Sequence, residues 1–93
     1  MKTYAIEYEY DANNPLIGEV RPAHREFLGN LKNQGMLIGS GPYIGGGALI
    51  VIRLPEGTTP QSIMDEDPFY TEKALTGRIF REWNPVLNIW DQD

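Results

Sequence analysis

The chain has 93 residues, 41% apolar and 23% charged, with eight Lys and Arg against thirteen Asp and Glu and a formal net charge of −5. An acidic chain whose basic residues are scattered singly argues against a nucleic-acid groove and against an anionic membrane surface as partner. It has no cysteine, which excludes a disulfide framework, a thiolate nucleophile and a cysteine zinc site.

That length suits one domain with a thin core, for which self-association is a route to further buried area. The first ten residues, "MKTYAIEYEY", hold no apolar run long enough for a signal peptide, and no segment approaches a membrane span. The expected location is therefore the cytoplasm.

In "KTYAIEYEY", residues 2–10, Tyr4, Ile6, Tyr8 and Tyr10 alternate with Thr3, Ala5, Glu7 and Glu9, the period of a strand. "DANNPLIGE" reads as a loop because Asn, Asp, Pro and Gly cluster there. A helix is expected to open at Pro22, since proline suits the first helical position. Its inner face holds His24, Phe27, Leu28 and Leu31, at i, i+3, i+4 and i+7. Arg25, Glu26, Asn30 and Lys32 fall mainly on the other side, and Gly35 is the expected left-handed stop.

"MLIGSGPYI" and "ALIVIRL" read as two strands joined across "GGG" as a hairpin. The second is apolar on both faces, so it expects cover on both. "PEGTTPQSIMDED" carries a Thr-Thr-Pro start signal for a short helix, broken at "DPF" because Pro68 disfavours helical geometry at Asp67. "YTEKALTG" has room for one more turn, and "RIFREWNPVLNIW" is the last strand, bent or ended by Asn84-Pro85.

The order β-α-β-β-α-β is the ferredoxin-like pattern: an α+β fold with a four-stranded antiparallel sheet and two helices on one face. Two helices cover one face only. The doubly apolar third strand is central in this topology, so a second copy of the chain is expected over the other face, giving a homodimer.

His24 is the only histidine. Placed in a first helical turn, on an apolar face, it would be kept neutral by burial and by the helix dipole, ready to accept a proton. Such a base gains from a carboxylate that fixes its tautomer. Asp67, in the rigid "DPF" turn, is the candidate partner; Asp65 and Glu66 stand beside it at a helix end where the dipole disfavours acids. A lone helical histidine is otherwise a structural residue. Arg21 suits either an anionic group at the helix N-terminus or a surface salt bridge, and Ser40 offers a hydroxyl. The glycine-rich "IGSGPYIGGG" lacks nucleotide-binding spacing. Phe69, Trp83 and the tyrosines read first as core or dimer contacts. With one His and no Cys, no metal site is expected.

"RPAH" opening the helix, "GSGP" after the next strand and "DPF" after the second helix together resemble the YciI-like family, across nearly the whole chain. The resemblance implies a single YciI-like domain over residues 1–93, a dimeric α/β barrel, and a His–Asp pair in a pocket, here His24 and Asp67. Arg21, Ser40, Gly41, Pro42 and Phe69 become the expected substrate-binding residues, with no cofactor. It also implies kinship with cofactor-independent enzymes, one of which removes chloride from a chlorinated hydroxyhydroquinone. The chain departs from the pattern in its "NNPLIGEV" segment and its "NPVLNIWDQD" tail. The leading expectation is a small cofactor-free enzyme performing acid/base chemistry on a phenolic or enolisable substrate, of lyase, isomerase or dehydrohalogenase type. The alternatives are a non-catalytic small-molecule-binding or stress-accessory module, and a purely structural dimer.

Overall fold

A computed structural model describes residues 1–90; the last three residues of the tail lie outside the described part. Its elements are β1 (Lys2–Glu9), α1 (Pro15–Asn33), β2 (Leu37–Pro42), β3 (Ala48–Leu54), α2 (Pro60–Met64), α3 (Pro68–Thr71) and β4 (Gly77–Trp83). All strand pairs are antiparallel, in the order β2-β3-β1-β4. This is the ferredoxin-like α+β fold, with β3 and β1 at the centre as the pattern requires.

The alternation in β1 and β3 decides which face is covered. Ile6 and Tyr8 pair with Ile50 and Ala48 on one face, and that face is buried. α1 presents Ile17, His24, Leu28 and Leu31 to the core, while Met64 of α2 and Phe69 of α3 complete it. The opposite face carries Ala5, Glu7, Leu49, Val51, Ile79 and Trp83, all half-buried or exposed. Leu49 and Val51 are thus apolar residues that the chain itself leaves incompletely covered.

The expected start of the first helix is corrected. α1 begins at Pro15, seven residues before Pro22, so most of "NNPLIGEV" is helix rather than loop. The Asn-Pro pair is the cap: Asn14 accepts from the Leu16 N–H and Pro15 takes the first helical position. Pro22 lies inside the helix, where it has no N–H to give the Gly18 carbonyl. Both residues are exposed, so water can serve the freed carbonyl. The helix ends as expected: Gly35, at φ 78°, donates to the Lys32 carbonyl and Met36 to the Leu31 carbonyl.

The break expected at "DPF" is present in the second helical region. Thr59 caps α2, which stops at Met64; Asp67, extended at φ −67° and ψ 128°, then caps the separate turn α3. Pro68 dictates this, because it forces the preceding residue out of helical geometry. The further turn opens on Pro68 itself and stops at Thr71, before most of "YTEKALTG". β4 stops at Trp83, before Asn84-Pro85. β2 is shorter than "MLIGSGPYI" and its register shifts between Leu37 and Gly39. The hairpin loop is closed by the Tyr43 N–H on the Gly47 carbonyl, with Gly45, Gly46 and Gly47 all at positive φ.

Candidate functional site

Asp67 is fully buried, and a buried carboxylate needs donors to replace water. It has three. The cap geometry of α3 brings the Phe69 N–H to Oδ1 at 3.0 Å. Tyr8, on the inner face of β1, donates its hydroxyl to Oδ2 at 2.7 Å. His24 Nδ1 stands 2.9 Å from both oxygens. Residues from β1, α1 and the α2–α3 junction thus meet at one group, across 43 and 59 positions of sequence.

The imidazole is held on its flat side as well. It stacks on Phe69 at 3.9 Å between centroids and 8° between planes. A carboxylate has no proton to give, so Nδ1 carries the hydrogen, and in the neutral imidazole the lone pair is on Nε2. Among the described residues Nε2 has no hydrogen-bond partner, and it is not sealed from solvent. A histidine that is 8% exposed therefore spends its remaining accessibility on the side where a ligand can reach it. The helix-dipole argument does not apply: His24 lies in the third turn of α1, beyond the dipole's reach.

Burial raises the Tyr8 phenol well above its ordinary value of 10.0, and the neighbouring Asp67 carboxylate adds to the rise; the Arg78 guanidinium works the other way and does not prevail. Tyr8 therefore remains the donor in its bond with Asp67 at any pH near neutral.

The pair opens on a cleft of about 390 Å³. Arg21, His24, Arg25 and Leu28, at helical spacing, form the α1 wall. Ser40, Gly41 and Pro42 of β2 stand opposite, with Tyr10, Ala48, Ile50 and Phe69 between. Every site residue expected from the sequence, bar the fully buried Asp67 behind His24, lines this cleft. Arg21 is within the helix rather than before it, and forms no salt bridge among the described residues. Asp65, the competing carboxylate, is exposed and bound to Arg78 at 2.8 Å; Glu66 is exposed. Trp83 lies on the open face against Trp90, with 6.3 Å between their ring centroids.

No family model matches the chain, and no curated protein does. Among solved structures, the fold is similar to that of a 5-chloro-2-hydroxyhydroquinone dehydrochlorinase from Burkholderia phenoliruptrix, in complex with 2,5-dihydroxybenzoquinone. The match has a TM-score of 0.77 at 17% identity, over 88% of this chain and 93% of that one. The shared architecture is the ferredoxin-like fold.

Tyr8, Tyr10 and Arg25 were not marked by the sequence. Tyr8 had one available signal: a hydroxyl on a strand's inner face must find an acceptor. Arg25 is exposed, as its place on the polar side of α1 implies, and it also borders the cleft. Among the described residues, no three His, Asp or Glu side chains gather as a metal would need, and no helix is long and apolar enough to cross a membrane.

Proposed function

We propose that this chain is a small cofactor-free enzyme of the YciI-like family, in which His24 moves a proton on a phenolic or enolisable substrate. The observation that carries the reading is the buried His24–Asp67 pair with Nε2 left open to a cleft. Nε2 takes a proton from a substrate O–H or activated C–H, and the electron pair stays on the substrate as a phenolate or enolate. Asp67 stabilises the imidazolium, and Tyr8 and the Phe69 N–H keep Asp67 in place. The proton then returns to another atom in an isomerisation, or a leaving group such as chloride departs in an elimination. General acid–base help of this kind is worth about 10²–10⁴ in rate. Arg21, Ser40, Gly41, Pro42 and Phe69 hold the substrate, and the protein works in the cytoplasm as a single-domain subunit.

We infer further that a second copy covers the open sheet face. Half-buried Leu49 and Val51, with Ile79 40% and Trp83 43% exposed, support this, as a doubly apolar central strand calls for cover. Light scattering at micromolar concentration tests it; a monomer overturns it.

The enzymatic reading is tested by a turnover screen of phenolic and enolisable compounds, beginning with chlorinated hydroxyhydroquinones, on the wild type, His24→Gln and Asp67→Asn. Activity that falls at least a hundredfold in His24→Gln supports it, and activity indifferent to His24 overturns it. Saturable binding without turnover would make the protein a binding module.

A further inference from the structure

The α1 wall holds a feature that proton transfer does not use. Arg21 and Arg25 sit one helical turn apart, on either side of His24 in sequence, and both line the cleft. Neither has an ion-pair or hydrogen-bond partner among the described residues. Like charges at i, i+4 work against a helix, and the chain has thirteen acids with which to relieve them. Yet no carboxylate is among the described residues lining the cleft; Asp67 is behind His24 and already bound by three donors. A protein of net charge −5 thus presents two uncompensated guanidinium groups to one small cavity.

We propose that Arg21 and Arg25 together form the anion-binding wall of the cleft, and that its ligand is a small organic acid. This rests on the reading of the cleft as a substrate site and adds the class of substrate. Two guanidinium forks about 6 Å apart along a helix can converge on one carboxylate or phosphate, each donating parallel N–H bonds to its oxygens. The rest of the ligand must be apolar, since Leu28, Ile50 and Phe69 face it. Held this way, the anionic end is fixed and a neighbouring hydroxyl or carbon is offered to His24 Nε2. The wall has a second effect: an enolate or phenolate formed beside two guanidinium groups is stabilised by them.

The test reads binding rather than turnover, so it can fail independently of the acid/base reading. Benzoate, salicylate and phenyl phosphate are titrated against the ¹⁵N-labelled protein beside the neutral benzamide and benzyl alcohol. The proposal expects the anions, and not their neutral counterparts, to shift the His24, Ser40 and Phe69 signals to saturation. Arg21→Gln and Arg25→Gln should each weaken the anions about tenfold or more, as loss of a charge-assisted hydrogen bond implies, and added salt should weaken them too. Arg25 is exposed, so its replacement leaves a folded protein, and Arg25→Lys should recover part of the affinity. Preference for the carboxylates or for the phosphate names the acid. Neutral compounds binding as well as the anions, unchanged affinity in Arg25→Gln, or no anion bound at all would each overturn the proposal. Anion binding that depends on both arginines in a protein that turns nothing over would leave it standing and remove the enzymatic reading instead.

Discussion

Replacing Tyr8 with Phe removes one oxygen and nothing else. The ring keeps its place in the core between β1, His24 and Phe69, so no cavity opens, and the loss is the 2.7 Å bond to Asp67 Oδ2. A hydrogen bond to a charged group contributes about 1.5–3 kcal/mol, a large share of the ~5–15 kcal/mol that holds a domain of this kind folded. The same bond gives the effect a pH signature. The phenol is raised in the folded state, first by burial and then by Asp67. Its contribution is therefore fully present below the unfolded tyrosine's value of 10.0 and is lost as pH rises beyond it, because only the unfolded chain then releases the proton. One such group takes away about 1.4 kcal/mol for each further pH unit. Urea unfolding of wild type and Tyr8→Phe at pH 7 should differ by ~1.5–3 kcal/mol, and the difference should close within roughly one to two units above pH 10. The other four tyrosines are common to both proteins and cancel. A gap that persists unchanged to pH 12 would refute the reasoning, and so would no gap at pH 7.

Asn14→Ala should lower stability by about 0.5–2 kcal/mol through loss of the cap at Leu16, measured by thermal unfolding; no loss would return the helix start to Pro22. Gly47→Ala places a methyl group 2.8 Å from the Tyr8 carbonyl at φ 77°, and should cost about 2 kcal/mol or more. Its signature in amide exchange is loosened pairing at the Tyr8–Ala48 end of the sheet, and wild-type exchange there would contradict it. Asp67→Asn should move the ring ¹⁵N and ¹H signals of His24 at a single pH, a clean readout because the chain has one histidine; unchanged signals would dissolve the pair.

The fold was legible where one local pattern admitted one element. The alternation of β1, the glycine stop at Gly35 and the Asn84-Pro85 ending of β4 all say what the structure says. The start of α1 was not, because Asn14-Pro15 and Arg21-Pro22 both satisfy the same preference for proline in a first turn, and clustered Asn, Pro and Gly favoured the loop. Which carboxylate meets His24 is a matter of tertiary packing: spacing could mark Asp67, Asp65 and Glu66 alike, and only the layering of α1 and α3 over β1 separates them. Alternation put Tyr8 on the inner face but could not say what it would face there.

The break between α2 and α3 has a consequence for how such a centre is made. In an unbroken helix the Phe69 amide would be consumed by the Asp65 carbonyl four residues back, and position 67 would be an acid midway along a helix with no free amide beside it. The kink imposed by Pro68 releases that amide and turns it onto the side chain of Asp67. A single imino acid thus converts scaffold into reagent. Undoing it, with a helix former at position 68, would trade the anchored carboxylate for one more turn of regular backbone.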